Sequence, residues 1–393
     1  MRYRLLAATL MLSTACTAAD APQNQTAPAG STAPTAARPF TVTPVADFTA
    51  PWAMTFLPDG RMLVTEKAGQ LMLLSADGRE KTVIADIPVD SAGQGGLMDV
   101  VLAPDFARSK AIYLSASRAV PGGKAVVLMR GTLALDGGEP RGYDFRTIFT
   151  AGPAVEGDGH YSGRIAFAPD GRHLFFTAGE RQQFTPAQDP KATLGKVLRL
   201  TPDGRPAPGN PLAAKGFDPA VWTYGHRNLL GIAFDAQGNL WEQEMGPKGG
   251  DEVNLILPGR NYGYPVVSDG DHYDGRPIPD HDTRPDLEKY KVNWTPVISP
   301  SGLMIYSGRM FPEWRGDAFI GGLSSKALVR VDLNGTNAAK GDQWGMNARI
   351  REVEEGPDGA IYVLEDGGRG SEGRLLRLTP VRAAQGATAG RQG

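Results

Sequence analysis

One phrase recurs along this chain: an apolar strand, a turn built on Pro-Asp-Gly, and a second strand. It stands in MTFLPDGRMLVTEK (54–67), IAFAPDGRHLFFTAGE (165–180) and VEEGPDGAIYVLED (353–366), and with Ala-Gln-Gly at the turn in IAFDAQGNLWEQEMG (232–246). VLAPDFARSKAIYLSAS (101–117) is a degenerate copy, while GKVLRLTPDG (195–204) and LVRVDLNG (328–335) supply strands that end in turns. Glycine provides the positive φ that tight hairpins demand, and proline presets its own φ. Antiparallel hairpins repeated across one long stretch predict an all-β fold, a β-propeller of four-stranded antiparallel sheets. About 340 folded residues at roughly 40–60 per blade make six blades. A large sandwich or barrel is the alternative, but it does not need the same phrase at each return. In a propeller the blade-joining loops meet at the channel mouth, so chemistry is expected there.

Fifty glycines and 31 prolines punctuate the 393 residues, and no long helical pattern interrupts them. A formal net charge of −2 argues against a nucleic-acid binder, which would carry a basic excess. The start, MRYRLLAATLMLSTAC, reads as an export signal: Arg2 and Arg4 precede an apolar segment, Leu5 to Ala15, too short to span a bilayer. Cys16 is the only cysteine, which excludes an intrachain disulfide. It follows Ser13-Thr14-Ala15, so cleavage after residue 15 with lipidation of Cys16 competes with simple cleavage after Ala19. Residues 17–39, rich in Ala, Pro and Thr, read as a disordered tether, and 381–393 as a flexible tail. The domain is therefore expected over 40–380, outside the cytoplasm, in the periplasm or on the surface of a bacterium.

Several loops carry candidate chemistry. GHYSGR (159–164) places His160 just before a strand; a lone histidine is more often a hydrogen-bonded structural residue than a base. Gln94 lies in the Gly-rich loop SAGQGG, where a backbone can approach a ligand closely. WTYGHRN sets His226, Arg227 and Asn228 ahead of another strand. Arg349 and Arg351 are two apart, so on a strand they share a face and call for an anion, unless they are solvated surface arginines. In WEQEMGPKGGDEVN, the carboxylates Glu244, Asp251 and Glu252 flank a Gly-Pro-Lys-Gly-Gly loop whose carbonyls are free to turn inward, an oxygen set suited to Ca²⁺. No Cys/His cluster, P-loop, dinucleotide fingerprint or nucleophile elbow is present.

Taken in order, PWAMTFLPDGRMLVTEKAGQL, GQGGLMDVVLAPDF, GHYSGRIAFAPDG, LGKVLRLTPDG, YGHRN, GPKGGDEVNLILPGRNYGYPV and PSGLMIYSG resemble the soluble glucose/sorbosone dehydrogenase family. Within it they are most similar to the aldose sugar dehydrogenases that use pyrroloquinoline quinone (PQQ), and the resemblance covers about 40–380. It implies a catalytic histidine at His160 and cofactor contacts at Gln94, Arg227, Asn228, Arg349, Arg351 and the aromatic Tyr273. It also implies a calcium on the carbonyls of Gly246 and Pro247, and a further structural calcium at Glu252 and Tyr262. Some members set a lysine against the quinone in the loop that here reads GGLSSKAL (321–328). Ser324 takes that place and Lys326 lies two residues on, so the cofactor contact falls to Ser324, to Lys326 reaching in from a shifted loop, or is missing.

The activity so implied is oxidation of an aldose at C1 to the lactone. His160 would take the C1 hydroxyl proton while hydride passes to the quinone C5, with Arg227 and calcium answering the developing charge. Electrons would leave to an external acceptor, a quinone or redox protein, and the compact loops suggest a monomer. Two other readings stay open. A Ca²⁺-dependent sugar-lactone hydrolase would have no use for Arg349 and Arg351, and a non-catalytic carbohydrate- or protein-binding propeller would suit the signal and tether equally.

Overall fold

The computed structural model describes residues 37–136 and 138–381. The expected export signal, Cys16, the tether before residue 37 and the tail beyond Val381 lie outside them. Six four-stranded antiparallel sheets form the blades of a propeller. One extra ribbon, with two residues in each strand, joins Lys248–Gly249 to Gly270–Asp271.

The innermost strands of the six blades are Pro51–Phe56, Leu97–Leu102, Ser162–Phe167, Leu229–Phe234, Pro300–Ile305 and Ile350–Glu355, and neighbours in this series pack on one another around the axis. The ring closes through its first strand: Phe40–Asp47 pairs with Arg374–Pro380 as the outer edge of the sixth blade, so the two ends of the fold share one sheet. Closure of this kind protects sheet edges. Among the described residues the one α-helix is Phe106–Ser109.

Each copy of the repeated phrase is the inner hairpin of a blade. The Pro-Asp-Gly turns lie at one end of these hairpins, and the opposite end opens toward the loops that precede the inner strands. There all six hairpins break register in the same way, between Pro51 and Ala53, Leu97 and Val100, Ser162 and Ile165, Leu229 and Gly231, Ser301 and Leu303, and Ile350 and Glu352. Irregularities at a sheet rim re-aim side chains, and the loops of Gln94, His160, Arg227 and Arg349 enter the inner strands at this rim.

Apolar side chains fill the space between sheets. Phe40 of the closing strand meets Trp344 of the fifth blade edge to face at 5.5 Å, and Trp314 and Phe319 extend that group. The axis is polar. Arg164 is buried, stacks on Trp52 at 4.1 Å, donates to the Leu230 carbonyl at 2.8 Å and pairs with Asp99 and Glu352. One side chain from the third blade thereby joins the first, second, fourth and sixth.

Candidate active site

His160 sits in the loop before the third inner strand with φ of 48°, and Ser162 and Gly163 also have positive φ. This bent backbone lies against Gly179, where a Cβ would come 2.1 Å from the His160 carbonyl oxygen, so glycine is required there. The His160 N–H donates to Oε1 of Gln94 at 2.8 Å, which ties the second and third blades. Its Nδ1 meets Oε1 of Glu180, a fully buried carboxylate that also accepts the N–H groups of Gln182 at 2.9 Å and Phe184 at 2.6 Å. An Nδ1–H held by a carboxylate leaves Nε2 as the basic nitrogen. Burial, and then the Arg227 guanidinium, lowers the His160 pKa, which favours the neutral imidazole. Burial pushes the Glu180 carboxyl up, but its hydrogen bond to His160 leads the contributions that outweigh this and hold it below the usual range.

Arg227 is 4% exposed. Its backbone N–H donates to Glu244 at 2.5 Å, and Nη1 donates to the carbonyls of Met245 at 2.9 Å and Gly246 at 2.6 Å. Its Nε is buried with no partner. The rings of Tyr264 and Tyr273 lie 5.9 and 5.8 Å from the guanidinium, and Tyr273 is half exposed at the rim. Asn228 accepts the Ser162 hydroxyl at 3.3 Å.

The Gly-Pro-Lys-Gly-Gly loop uses its oxygens differently from the sequence expectation. Asp251 accepts the N–H groups of Gly246 at 2.9 Å and of Ile298 and Ser299 at 2.7 Å each, so it shapes the loop. Glu244 is bonded to His226 and to the Arg227 backbone. The Gly246 carbonyl is turned inward, but onto Arg227. Glu252 faces a small cavity lined also by Gly246, Tyr262, Ser268 and His281. Burial and the nearby Glu244 push its carboxyl well up. The Tyr262 hydroxyl donates to the Leu255 carbonyl at 2.5 Å and accepts the Leu257 N–H at 2.8 Å, which leaves the Tyr262 carbonyl, 3.1 Å from His281 Nε2, as its contribution to this cavity.

Arg349 and Arg351 do share a face, and a carboxylate already bridges them. Asp366 takes Arg349 Nε at 2.8 Å and Arg351 Nη2 at 3.1 Å. Burial raises the Asp366 carboxyl, but the charges of Arg351 and Arg349 prevail and bring it down to about 2. Arg351 Nε is buried without a partner. Arg349 Nη1 donates to the Leu323 carbonyl at 3.2 Å, which places Ser324 beside the pair, while Lys326 is exposed.

Sequence reasoning does not single out Glu180 or Asp366. Both close a copy of the repeat, in FFTAGE and YVLED, one strand across from a rim loop. Carboxylates at that phase of the repeat are the signal that could find them.

Known proteins share this architecture over most of the chain. The family model described as Glucose / Sorbosone dehydrogenase matches residues 48–377. Aldose sugar dehydrogenase YliI of Escherichia coli (strain K12) is 38% identical over 338 residues, covering 84% of this chain and 90% of that protein. Quinoprotein glucose dehydrogenase B of Acinetobacter calcoaceticus is 27% identical, covering 80% and 83%. The crystal structure of the soluble E. coli aldose sugar dehydrogenase in its apo form superposes with a TM-score of 0.80 at 35% identity, over 87% of this chain and 100% of that one. The PQQ-bound aldose sugar dehydrogenase of Streptomyces coelicolor does so with a TM-score of 0.72 at 30% identity, over 88% and 99%. Matched by the family model over residues 48–377, the chain belongs to the glucose/sorbosone dehydrogenase family.

Proposed function

We propose that this protein is a PQQ-dependent aldose sugar dehydrogenase that oxidises the sugar at C1 to the lactone. The observation that carries the reading is a pair of buried N–H groups without an acceptor on otherwise bonded guanidiniums, Arg227 Nε and Arg351 Nε, at the rim that bears His160. A buried N–H of a cation without an acceptor is costly, and an anionic ligand relieves it. A tricarboxylate quinone fits this donor set.

Arg349 and Arg351 would hold carboxylates of the cofactor, with Gln94, Asn228, Tyr273 and Ser324 completing its surround. The carbonyls of Gly246 and Pro247 would hold the calcium beside it, and Glu252 with the Tyr262 carbonyl a second, structural calcium. When bound, the quinone supplies a two-electron hydride acceptor, polarised by the adjacent calcium. His160 Nε2 takes the proton from the C1 hydroxyl. Glu180 keeps Nδ1 protonated and stabilises the imidazolium that forms. Arg227 presents positive charge on the same side as the base. The reading extends to export by the N-terminal signal, tethering through Cys16 and delivery of electrons to an external acceptor.

Reconstitution tests it. Purified chain given PQQ and Ca²⁺ should reduce an artificial dye in the presence of an aldose, and omission of PQQ should abolish the reaction. Lactone cleavage without PQQ would move the protein to the hydrolase class. Bound PQQ with no aldose-dependent dye reduction would overturn the dehydrogenase reading.

A further inference from the structure

Lys67 directly follows the strand Met62–Glu66, whose end pairs with Pro51 at the rim. Its backbone is pinned there: the N–H donates to the Ala50 carbonyl at 2.9 Å, and its own carbonyl accepts the Leu97 N–H at 3.1 Å. The half-buried side chain reaches across to the second blade, where Nζ donates to the Gly93 carbonyl at 2.5 Å, next to Gln94. Gly96 allows this path, since a Cβ there would lie 2.5 Å from the Lys67 Cγ.

The charges that reach this ammonium are Arg351, Asp366 and Arg369. Asp366 is already shared by Arg349 and Arg351. Ala50, which accepts the Lys67 N–H, packs against Gly367, so Lys67 lies beside the strand end that carries Asp366, within electrostatic reach of Arg351 and Arg369. Burial first, and then Arg351, lowers the Lys67 pKa, with Asp366 acting against them. The loop at 321–328, where the resemblance implies a lysine against the quinone, offers Ser324 at the site and leaves Lys326 exposed.

We infer that Lys67, from the first blade, binds a carboxylate of the quinone cofactor and supplies the cationic contact that the 321–328 loop lacks. This rests on the function proposed above. The bond to the Gly93 carbonyl also makes Lys67 a link between the cofactor and the loop of Gln94.

Direct titration with PQQ, followed by absorbance and protein fluorescence, tests it in the wild type, Lys67→Met and Lys67→Arg. Loss of one charged hydrogen bond should weaken binding by Lys67→Met about 10- to 150-fold, with a shallower dependence on ionic strength. Lys67→Arg should recover most of that affinity. The melting temperature of each variant without PQQ should match the wild type. Wild-type affinity in Lys67→Met, or equal weakening in both variants together with a lower melting temperature, would overturn the contact and make Lys67 a structural clamp. No PQQ binding by the wild type would overturn the functional reading itself.

Discussion

Glu180 holds His160 by Nδ1, and this contact determines which nitrogen of the imidazole is free to act as a base. Replacing Glu180 by Leu should lower kcat on the order of 10²-fold or more, through loss of orientation and of imidazolium stabilisation. PQQ affinity, measured by titration, should stay near that of the wild type. The Glu180→Gln variant should retain more activity, because its carbonyl oxygen still accepts the Nδ1–H.

The same pair sets a pH dependence. The folded pKa of His160 lies below its ordinary 6.5, chiefly from burial. The neutral base therefore persists to lower pH than a free histidine would allow, and the acid limb of kcat/KM should fall below about 6.5. Because the unfolded chain takes up that proton first, His160 costs stability as pH falls below about 6.5. A rate profile with its acid limb above about 7 would contradict this assignment.

Asp366 works in the opposite sense. Its pKa of about 2 lies below the unfolded 3.8, so its ion pairs stabilise the fold fully above about pH 4 and are lost as pH falls toward 2. The difference corresponds to about 2 kcal/mol. Denaturant unfolding of Asp366→Asn across this acid range should show that part of the pH dependence removed.

Calcium should stabilise the protein through the cavity at Glu252. At about a hundredfold excess over Kd, a ligand that binds the folded state alone adds about 2.7 kcal/mol. Chelation should lower the melting temperature, and Glu252→Gln should remove much of the response to added Ca²⁺.

Much of this architecture is legible in the sequence because it repeats. Pro-Asp-Gly turns, or Ala-Gln-Gly in one copy, mark one end of the inner hairpins, so the blades at 54–67, 165–180, 232–246 and 353–366 can be read directly. The fifth blade is less visible, since its inner hairpin spans residues 300–322 and carries a 3-10 turn at Pro312–Trp314 in place of the tight turn. His160, Gln94 and Arg227 stand next to glycine-rich motifs and are found for the same local reason. Glu180, Asp366 and Lys67 are not, because their meaning lies in partners on other strands or blades. Nor can the motif at 241–252 say that Asp251 is spent on backbone N–H groups and Glu244 on His226.

The most direct test of the catalytic assignment is turnover by His160→Ala loaded with PQQ and Ca²⁺. With binding stoichiometry verified by titration, kcat should fall on the order of 10²–10⁴-fold, while the affinity for PQQ stays close to that of the wild type. Near-normal turnover in the loaded variant would contradict the assignment of the base.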